Sequence, residues 1–255
     1  MMRQTKILLT SVVTIGLLSS CTHHYQLASV ERSRILIDSR YDANPDGEAT
    51  EYMKAYTPKV DSLMGPVVGK TARYMAAYRP ESELSNLLPD ILVWASKKYN
   101  EQADFAVYNI GGMRAALAKG DITIGDVYEV APFENKICFI TLKGSDVTEL
   151  FRQIAIRGGE GVSHEVHMDI DKSHSLLSAK LNGKDIDPNA DYRIVTIDYV
   201  AQGNDGMTAF KNGTNLTAPK EEKDNTRYII MDYFREHQSQ GKVVDAVIEG
   251  RIVVR

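Results

Sequence analysis

The sequence has 255 residues, enough to bury one sizeable core, and its 43% hydrophobic and 25% charged fractions are ordinary for a globular protein. Its formal net charge of −4 argues against a general nucleic-acid binder, because such proteins are usually basic; a local arginine pocket could still bind a phosphate. The two cysteines, Cys21 and Cys138, do not support a disulfide framework or a cysteine zinc site.

Residues 1–20 have the pattern of a targeting segment. Arg3 and Lys6 supply positive charge, and Ile7–Leu18 is an apolar run too short for a stable membrane span. The run leads into a Leu-Ser-Ser-Cys sequence that ends at Cys21 and resembles the lipobox of bacterial lipoproteins. This resemblance implies acylation of Cys21 and a lipid-anchored protein of the bacterial cell envelope, facing the periplasm or the cell surface. An ordinary secretory signal with an incidental cysteine is the alternative.

Residues 21–48 are polar and irregular, which predicts a tether. His23 and His24 lie within it, where paired histidines are usually solvated rather than bound to metal. Residues 49–255 are predicted to form the folded domain. It opens with a linker helix at 49–65 that Pro58 interrupts.

A strand is predicted within Pro66–Tyr78, followed by a helix over residues 81–99 with Ser82, Ser85 or Asn86 near its cap. The helical spacing of its apolar residues indicates a face that packs in the core rather than a ligand site. These residues are Leu87, Ile91, Trp94 and Ala95.

The segment Asp104–Arg114 reads Asp-Phe-Ala-Val-Tyr-Asn-Ile-Gly-Gly-Met-Arg. Its first seven residues favour a strand, and Gly111 and Gly112 then allow a sharp turn. A short helix is predicted over Met113–Lys119, so that its N-terminus and Arg114 would form an anion site. The alternative is a tight turn with a solvated arginine.

A strand and turn are predicted over Ile122–Val130, and Pro132 then places Phe133 at a loop or sheet edge. There Phe133 could stack on a nucleobase, or it could be an ordinary core residue. Lys136–Lys143 alternates as a strand, with Cys138 as a buried apolar residue. The next helix is predicted to have Ser145 as its cap; its apolar residues are Val147, Leu150, Phe151 and Ile154.

His164, His167 and His174 do not match a metal site, because the alternation after His164 predicts a strand with the first two histidines on opposite faces. The remaining predictions are a hairpin at Asn182–Gly183, a strand over Tyr192–Ala201, a helix over Tyr228–His237 and a closing strand over Val243–Val253. The Tyr192–Ala201 strand would deliver Tyr199 to a Gly-Asn-Asp-Gly turn that contains Asp205.

Four blocks in order, NIGGMR, ITIGDVYEVAPFENK, LKGSDVTELF and DYVAQGNDGM, resemble the C-terminal domain of bacterial and animal 5'-nucleotidases, and the similarity covers roughly residues 54–255. The resemblance implies an α+β fold, a mixed sheet flanked by helices. It also implies a substrate site in which Phe133 and Tyr199 sandwich the base. The other implied members are Asn109 at the base, Asp205 at the ribose, Arg114 and Arg79 at the phosphate, and Gly111 and Gly112 in the turn.

The resemblance further implies nucleoside 5'-phosphate hydrolysis in nucleotide catabolism, catalysed by a two-metal phosphoesterase domain. The Asp-x-His and Gly-Asn-His-Glu signatures of that domain do not occur in the sequence. We therefore expect no catalytic residue, metal or cofactor in this chain, and a separate metallophosphoesterase chain as its partner. The alternatives are a surface nucleotide-binding lipoprotein without a catalytic partner, and a scaffold that has lost its ligand.

Overall fold

The structure is a computed structural model that describes residues 27–36 and 38–255. The predicted signal segment, Cys21, His23 and His24 lie outside the described residues. The chain divides into two units, one ending at Glu51 and one covering Tyr52–Arg255. In the described part of the predicted tether, the residues are exposed and mostly irregular, with a 3-10 turn at Ser39–Tyr41.

The described residues form seven α-helices and eleven β-strands. The helices are α1 (Gly47–Met53), α2 (Thr57–Met64), α3 (Glu83–Ser96), α4 (Ile124–Val130), α5 (Gly144–Ile156), α6 (Asp198–Ala201) and α7 (Thr226–Ser239). The strands are β1 (Val67–Thr71), β2 (Phe105–Tyr108), β3 (Gly120–Thr123), β4 (Ile137–Lys143), β5 (Gly161–Val162), β6 (Val166–Ile170), β7 (Leu176–Leu181), β8 (Lys184–Asp185), β9 (Asp191–Ile197), β10 (Thr214–Thr217) and β11 (Ile252–Val254). None of these helices is long and apolar enough to cross a membrane.

The central sheet has five strands in the order β10-β4-β9-β2-β5. Only β2 and β9 run parallel to each other, and the other neighbours in this sheet are antiparallel. A four-stranded sheet, β11-β6-β7-β8, and a two-stranded sheet of β1 and β3 complete the strands of the described residues. The fold is therefore α+β with mixed sheets flanked by helices, as expected.

Helices cover the central sheet because its inner strands, β4, β9 and β2, are largely buried on both faces. All four residues of β2 are buried, and α3 packs on β2, β5 and β9 while α5 packs on β4 and β9. The rings of Phe105 in β2 and Phe151 in α5 lie 5.5 Å apart. The core thus fixes the two parallel strands whose ends carry the candidate site.

Several predicted elements are confirmed where the signals are local. Ser82 caps α3 in a reciprocal capping box with Ser85, and Pro58 lies in the first turn of α2, after the interruption that follows α1. The predicted hairpin is present between β7 and β8, with positive φ at Asn182 and Gly183.

Other predictions are wrong. Met113–Lys119 is not helical: it is irregular apart from a bridge between Leu117 and Met75. Residues 124–130 form a helix instead of strand and turn, because Thr123 and Asp126 make a capping box.

Three boundaries also differ. The helix α5 begins at Gly144, with no side-chain hydrogen bond at its cap, so Ser145 is inside the helix. The strand β9 ends at Ile197, and Tyr199 lies on the one-turn helix α6. The closing strand is only three residues long, because the preceding segment is irregular apart from a bridge between Val244 and Thr71.

Candidate functional site

The candidate site lies at the carboxyl ends of β2 and β9. Because these strands are parallel neighbours, the residues that follow them emerge at the same edge of the sheet. Asn109 follows β2 and Tyr199 follows β9 on α6. The turn after α6 then brings Asp205 back, and Asn109 Nδ2 donates a hydrogen bond to Asp205 Oδ2 at 2.7 Å.

A cavity of about 210 Å³ opens at this edge. Six of the eight binding residues expected from the sequence line it, together with Asn135, which sequence reasoning missed. The lining residues are Asn109, Gly111, Gly112, Phe133, Asn135, Tyr199 and Asp205. Their convergence comes from the fold, since they belong to three segments that are distant in the sequence.

The two aromatic side chains of the cavity are exposed. Phe133 is 48% exposed in the loop after α4, and Tyr199 is 38% exposed on α6. The alternative of a core phenylalanine at position 133 is therefore wrong. A ring that lines a cavity while remaining half in solvent is suited to stack on a flat ligand.

Asp205 is fixed by its backbone and by its neighbours. Its φ of 53° lies in the left-handed region, where short polar residues are tolerated in turns. Besides the bond from Asn109, its Oδ1 accepts a 3.4 Å hydrogen bond from the Tyr199 hydroxyl. The Asn204 side chain in turn donates to the Tyr199 carbonyl at 2.8 Å. The carboxylate and the ring of Tyr199 are thus held as one unit.

The glycine pair lets the backbone form the cavity wall. A Cβ at Gly112 would lie 2.8 Å from Asn109 Oδ1, so a larger residue would displace that side chain. Asn109 is buried, and its Oδ1 has no hydrogen-bond partner among the described residues. A buried acceptor without a partner is costly in a structural role, and a ligand donor that reached it would relieve the cost.

Arg114 is placed differently from the sequence-based expectation. It is exposed, it is not among the lining residues of the cavity, and no helix begins beside it. Its Nη1 makes a long 3.4 Å hydrogen bond to the Gly111 carbonyl, which keeps it near the glycine turn. The helix-terminus anion site is therefore wrong, whereas the role of the guanidinium itself stays a prediction.

Arg79 is not among the residues that line the cavity. Its Nε donates to the Gly159 carbonyl at 2.8 Å, and its Nη2 contacts Glu160 Oε1. Arg157 Nε also donates to Glu160 Oε1, and Arg157 Nη2 lies 3.8 Å from Asp205 Oδ1. No role was predicted from the sequence for Arg157 or Glu160, and the two glycines between them are the one local hint.

The described residues do not supply a two-metal centre. No group of three or more His, Cys, Asp or Glu side chains among them could hold a metal ion. His164 Nδ1 pairs instead with Glu249 Oε2 at 2.8 Å. The donor set needed to bring two metals about 3.5–4 Å apart is missing from the described part of the chain, and no catalytic step can be derived from it.

Residues 67–212 match the family described as 5'-nucleotidase, C-terminal domain. The chain belongs to this family. It is 28% identical over 236 residues to the trifunctional nucleotide phosphoesterase protein YfkN of Bacillus subtilis, covering 85% of this chain and 16% of that protein. It is 31% identical over 151 residues to protein UshA of Yersinia enterocolitica, covering 58% of this chain and 27% of that protein.

A solved structure agrees with this assignment. The crystal structure of a 5'-nucleotidase precursor from Thermus thermophilus superposes with a TM-score of 0.70 and 29% identity, covering 81% of this chain and 43% of that chain. This 5'-nucleotidase C-terminal domain therefore spans less than half the length of each of these three proteins. Their whole-protein activities do not follow from the match alone.

Proposed function

We propose that this chain is the nucleotide-binding half of a 5'-nucleotidase and binds a nucleoside 5'-phosphate. The observation that carries the proposal is the cavity with two half-exposed aromatic rings, Phe133 and Tyr199, beside the Asn109–Asp205 pair. The rings would stack on the two faces of the base. Asp205 would accept hydrogen bonds from the ribose hydroxyls, and Asn109 would contact the base.

The phosphate would lie toward Arg114. This arginine is exposed and tethered to the glycine turn of the cavity, so its planar fork is available for a bidentate phosphate contact. Arg79 would contribute positive charge without a direct phosphate contact, since its guanidinium is already engaged by Gly159 and Glu160.

Hydrolysis would require a two-metal phosphoesterase partner on a separate chain, acting in nucleotide catabolism. Such a centre binds divalent metals, activates water and stabilises the attacking and leaving oxygens. The missing donor set among the described residues supports this division of labour. The same observation favours a second candidate, a non-catalytic surface lipoprotein that only binds nucleotides or nucleosides.

We also propose that acylation of Cys21 anchors the protein in the bacterial cell envelope, facing the periplasm or the cell surface. The Leu-Ser-Ser-Cys sequence after the apolar run supports this. Cys21→Ser should yield an unlipidated product that is uncleaved or released from the membrane. Equal membrane partitioning and unchanged mass of the two proteins would contradict the anchor.

Phosphate release decides between the candidates. With a nucleoside monophosphate and Zn²⁺, Mn²⁺ or Mg²⁺, the pure chain should release no phosphate above background. Addition of a separately expressed two-metal phosphoesterase chain should produce nucleotidase activity that falls in Phe133→Ala and Arg114→Lys. Tyr74→Ala is the matched control, because Tyr74 is 63% exposed and is not among the cavity-lining residues.

The possible outcomes of these binding and activity measurements distinguish the candidates. Metal-dependent turnover by the pure chain would overturn the division between two chains. Nucleotide binding without activity in the reconstituted pair would favour the binding lipoprotein. Absence of nucleotide binding would overturn both candidates and leave a fold without its ligand.

A further inference from the structure

Glu160 is a buried carboxylate that joins three parts of the candidate site. Its side chain is fully buried, and its Oε1 is contacted by both Arg79 and Arg157. Its Oε2 accepts a 2.6 Å hydrogen bond from the Ile110 backbone N–H, next to the cavity residue Asn109. A buried charge is tolerated only with such partners, so Glu160 keeps both guanidiniums in place.

The loop that carries Glu160 is shaped for this contact. Gly158 and Gly159 have φ values of +79° and +113°, which favour glycine. A Cβ at Gly159 would lie 2.4 Å from the Pro80 carbonyl oxygen, so the loop approaches the Arg79–Pro80 segment more closely than another residue would allow. This close approach brings Arg79, Arg157 and Glu160 together.

Arg157 does not line the cavity itself, but it has donors without a hydrogen bond in the described part of the chain, next to Asp205, the residue proposed to bind the ribose. Its Nε is taken by Glu160, but neither Nη makes a hydrogen bond within the described residues. Its Nη2 lies 3.8 Å from Asp205 Oδ1, beyond the usual hydrogen-bond limit of about 3.2 Å. The Asp205 oxygen on this side accepts only the long 3.4 Å bond from Tyr199 among these residues. An acceptor and a donor thus lie side by side, 3.8 Å apart, so that a single hydroxyl can contact both.

Arg157 stays positively charged at this position. Burial acts to lower its pKa, but the hydrogen bond to Glu160 and the negative charges of Glu160 and Asp205 outweigh it and raise the pKa above the ordinary arginine value. The guanidinium therefore remains a permanent donor beside an acceptor.

A ribose hydroxyl matches this pair, because one O–H can donate to Asp205 while its oxygen accepts from Arg157. We propose that Arg157, positioned by Glu160, makes the site select ribonucleotides over nucleotides that lack the ribose hydroxyls. This inference rests on the proposed function and adds a specificity-determining residue to it. A deoxy ligand would leave Arg157 Nη2 and Asp205 Oδ1 with only their weak 3.8 Å contact, and a site built to pair with a hydroxyl rejects the analogue that lacks it.

The test is the ratio of dissociation constants between the four ribonucleoside 5'-monophosphates and their 2',3'-dideoxy counterparts, measured by calorimetry. The wild-type chain should bind the ribose form of its best ligand at least about tenfold more tightly, from the usual strength of charged hydrogen bonds. In Arg157→Met this ratio should fall by about threefold to tenfold, mainly through weaker binding of the ribose form. If Arg157 had a purely structural role, its loss would weaken base stacking and phosphate contact equally for both ligands. Such a change cancels in the ratio.

Glu160→Gln tests the positioning step, because glutamine cannot hold two guanidiniums by charge. It should lower the ratio in the same direction, and the double variant with Arg157→Met should add little, since both changes remove one interaction. Glu101→Gln is the matched control: it breaks a glutamate–arginine pair at the other end of the same two strands, and it should leave the ratio unchanged.

Failure of the inference and failure of the proposed function give different results. A wild-type ratio near one, or an unchanged ratio in Arg157→Met, would overturn the inference while nucleotide binding persists. If the wild-type chain binds none of the eight ligands, the proposed function fails and the inference fails with it. Should Glu160→Gln not fold, Arg157→Met still decides, because Glu160 keeps its contacts with Arg79 and Ile110 in that variant.

Discussion

The two ends of the parallel strands β2 and β9 both carry an arginine paired with a glutamate, but their arginines are used differently. At the amino ends, Arg193 directs all five of its guanidinium N–H groups to partners. They are the Glu101 carboxylate, the Thr141 and Thr217 hydroxyls and the Asn215 carbonyl. This network is closed, with both charged side chains less than one-fifth exposed, and has no donor left for a ligand.

At the carboxyl ends, the network around Glu160 is open. Both Nη groups of Arg157 lack a hydrogen bond among the described residues, and Asn109 Oδ1 is buried without a partner there. The closed network can only stabilise the fold, whereas the open one has groups that a ligand can satisfy. Buried polar groups are normally paired, so the unpaired Asn109 Oδ1 at the cavity, with the Arg157 Nη groups next to Asp205, distinguishes a binding end of the sheet from a structural end.

The largest effect is expected at the closed end. Glu101→Gln removes the charge that neutralises Arg193, and should lower the free energy of unfolding by about 2–3 kcal/mol, somewhat below the cost of breaking a fully buried pair. Nucleotide affinity should not change. Denaturant unfolding and nucleotide titration of the same variant measure both quantities. A loss of affinity without a loss of stability would mean that the two ends are not functionally distinct.

The same pair gives this prediction a pH dependence. The hydrogen bond from Arg193 holds the pKa of Glu101 below its ordinary value of 4.5. The pair therefore contributes stability that is fully present above about pH 4.5 and is lost as the pH falls through the folded-state pKa. The difference in stability between wild type and Glu101→Gln should shrink below this pH; a difference that is constant with pH would contradict the assignment.

The second effect concerns the aromatic rings of the open end. Phe133→Ala or Tyr199→Ala should weaken nucleotide binding by about 1–3 kcal/mol, the usual range for base–aromatic stacking. Stability should change little, because both rings are substantially exposed. Tyr199→Phe should lose much less affinity than the alanine variant, since the stacking face remains. Titration of folded alanine variants that bind as tightly as wild type would exclude the base sandwich.

The predictions that the structure confirms depend mostly on local signals, although one local signal was missed. The Asn-Gly hairpin and the α3 cap depend on residues that are close together in the chain. The helix predicted over Met113–Lys119 is wrong because Leu117 in this segment bridges to Met75, which is distant in the sequence. The helix α4 was missed although its Thr123–Asp126 capping box was present in the sequence.

Much of the candidate site could be predicted only through family resemblance, and the network around Glu160 could not be predicted at all. Arg79 and Glu160 are separated by 81 positions, and nothing in the local pattern of either residue indicates that they meet. Burial of a charged side chain is likewise a tertiary property. The open network therefore emerged only from the three-dimensional structure.

The third effect tests whether Arg114 belongs to the open end. Arg114→Lys keeps the charge but loses the planar fork, so a bidentate phosphate contact would weaken. Binding of the nucleotide should fall by about 1 kcal/mol, while binding of the matching nucleoside should stay nearly unchanged. Parallel titrations with the two ligands measure this difference. A similar loss for both would place Arg114 in a structural role.

The smallest effect belongs to a second closed network, around Arg251. This buried arginine pairs with Asp90 and Glu249, and His164 joins the network from its exposed edge through Glu249. The hydrogen bond with Glu249 raises the pKa of His164 above its ordinary value of 6.5. Because the folded-state pKa is the higher one, the stabilisation is fully present below about pH 6.5 and is lost as the pH rises through the folded-state pKa.

His164 is mostly exposed, so solvent screening should limit this contribution to less than about 1 kcal/mol. The measurement is the free energy of unfolding of wild type and His164→Gln at pH 5.5 and at pH 8.5. The difference between the two proteins should be larger at the lower pH, and the other histidines cancel in that difference. An equal difference at both pH values would show that the edge contact adds nothing, leaving the closed network dependent on its buried members alone.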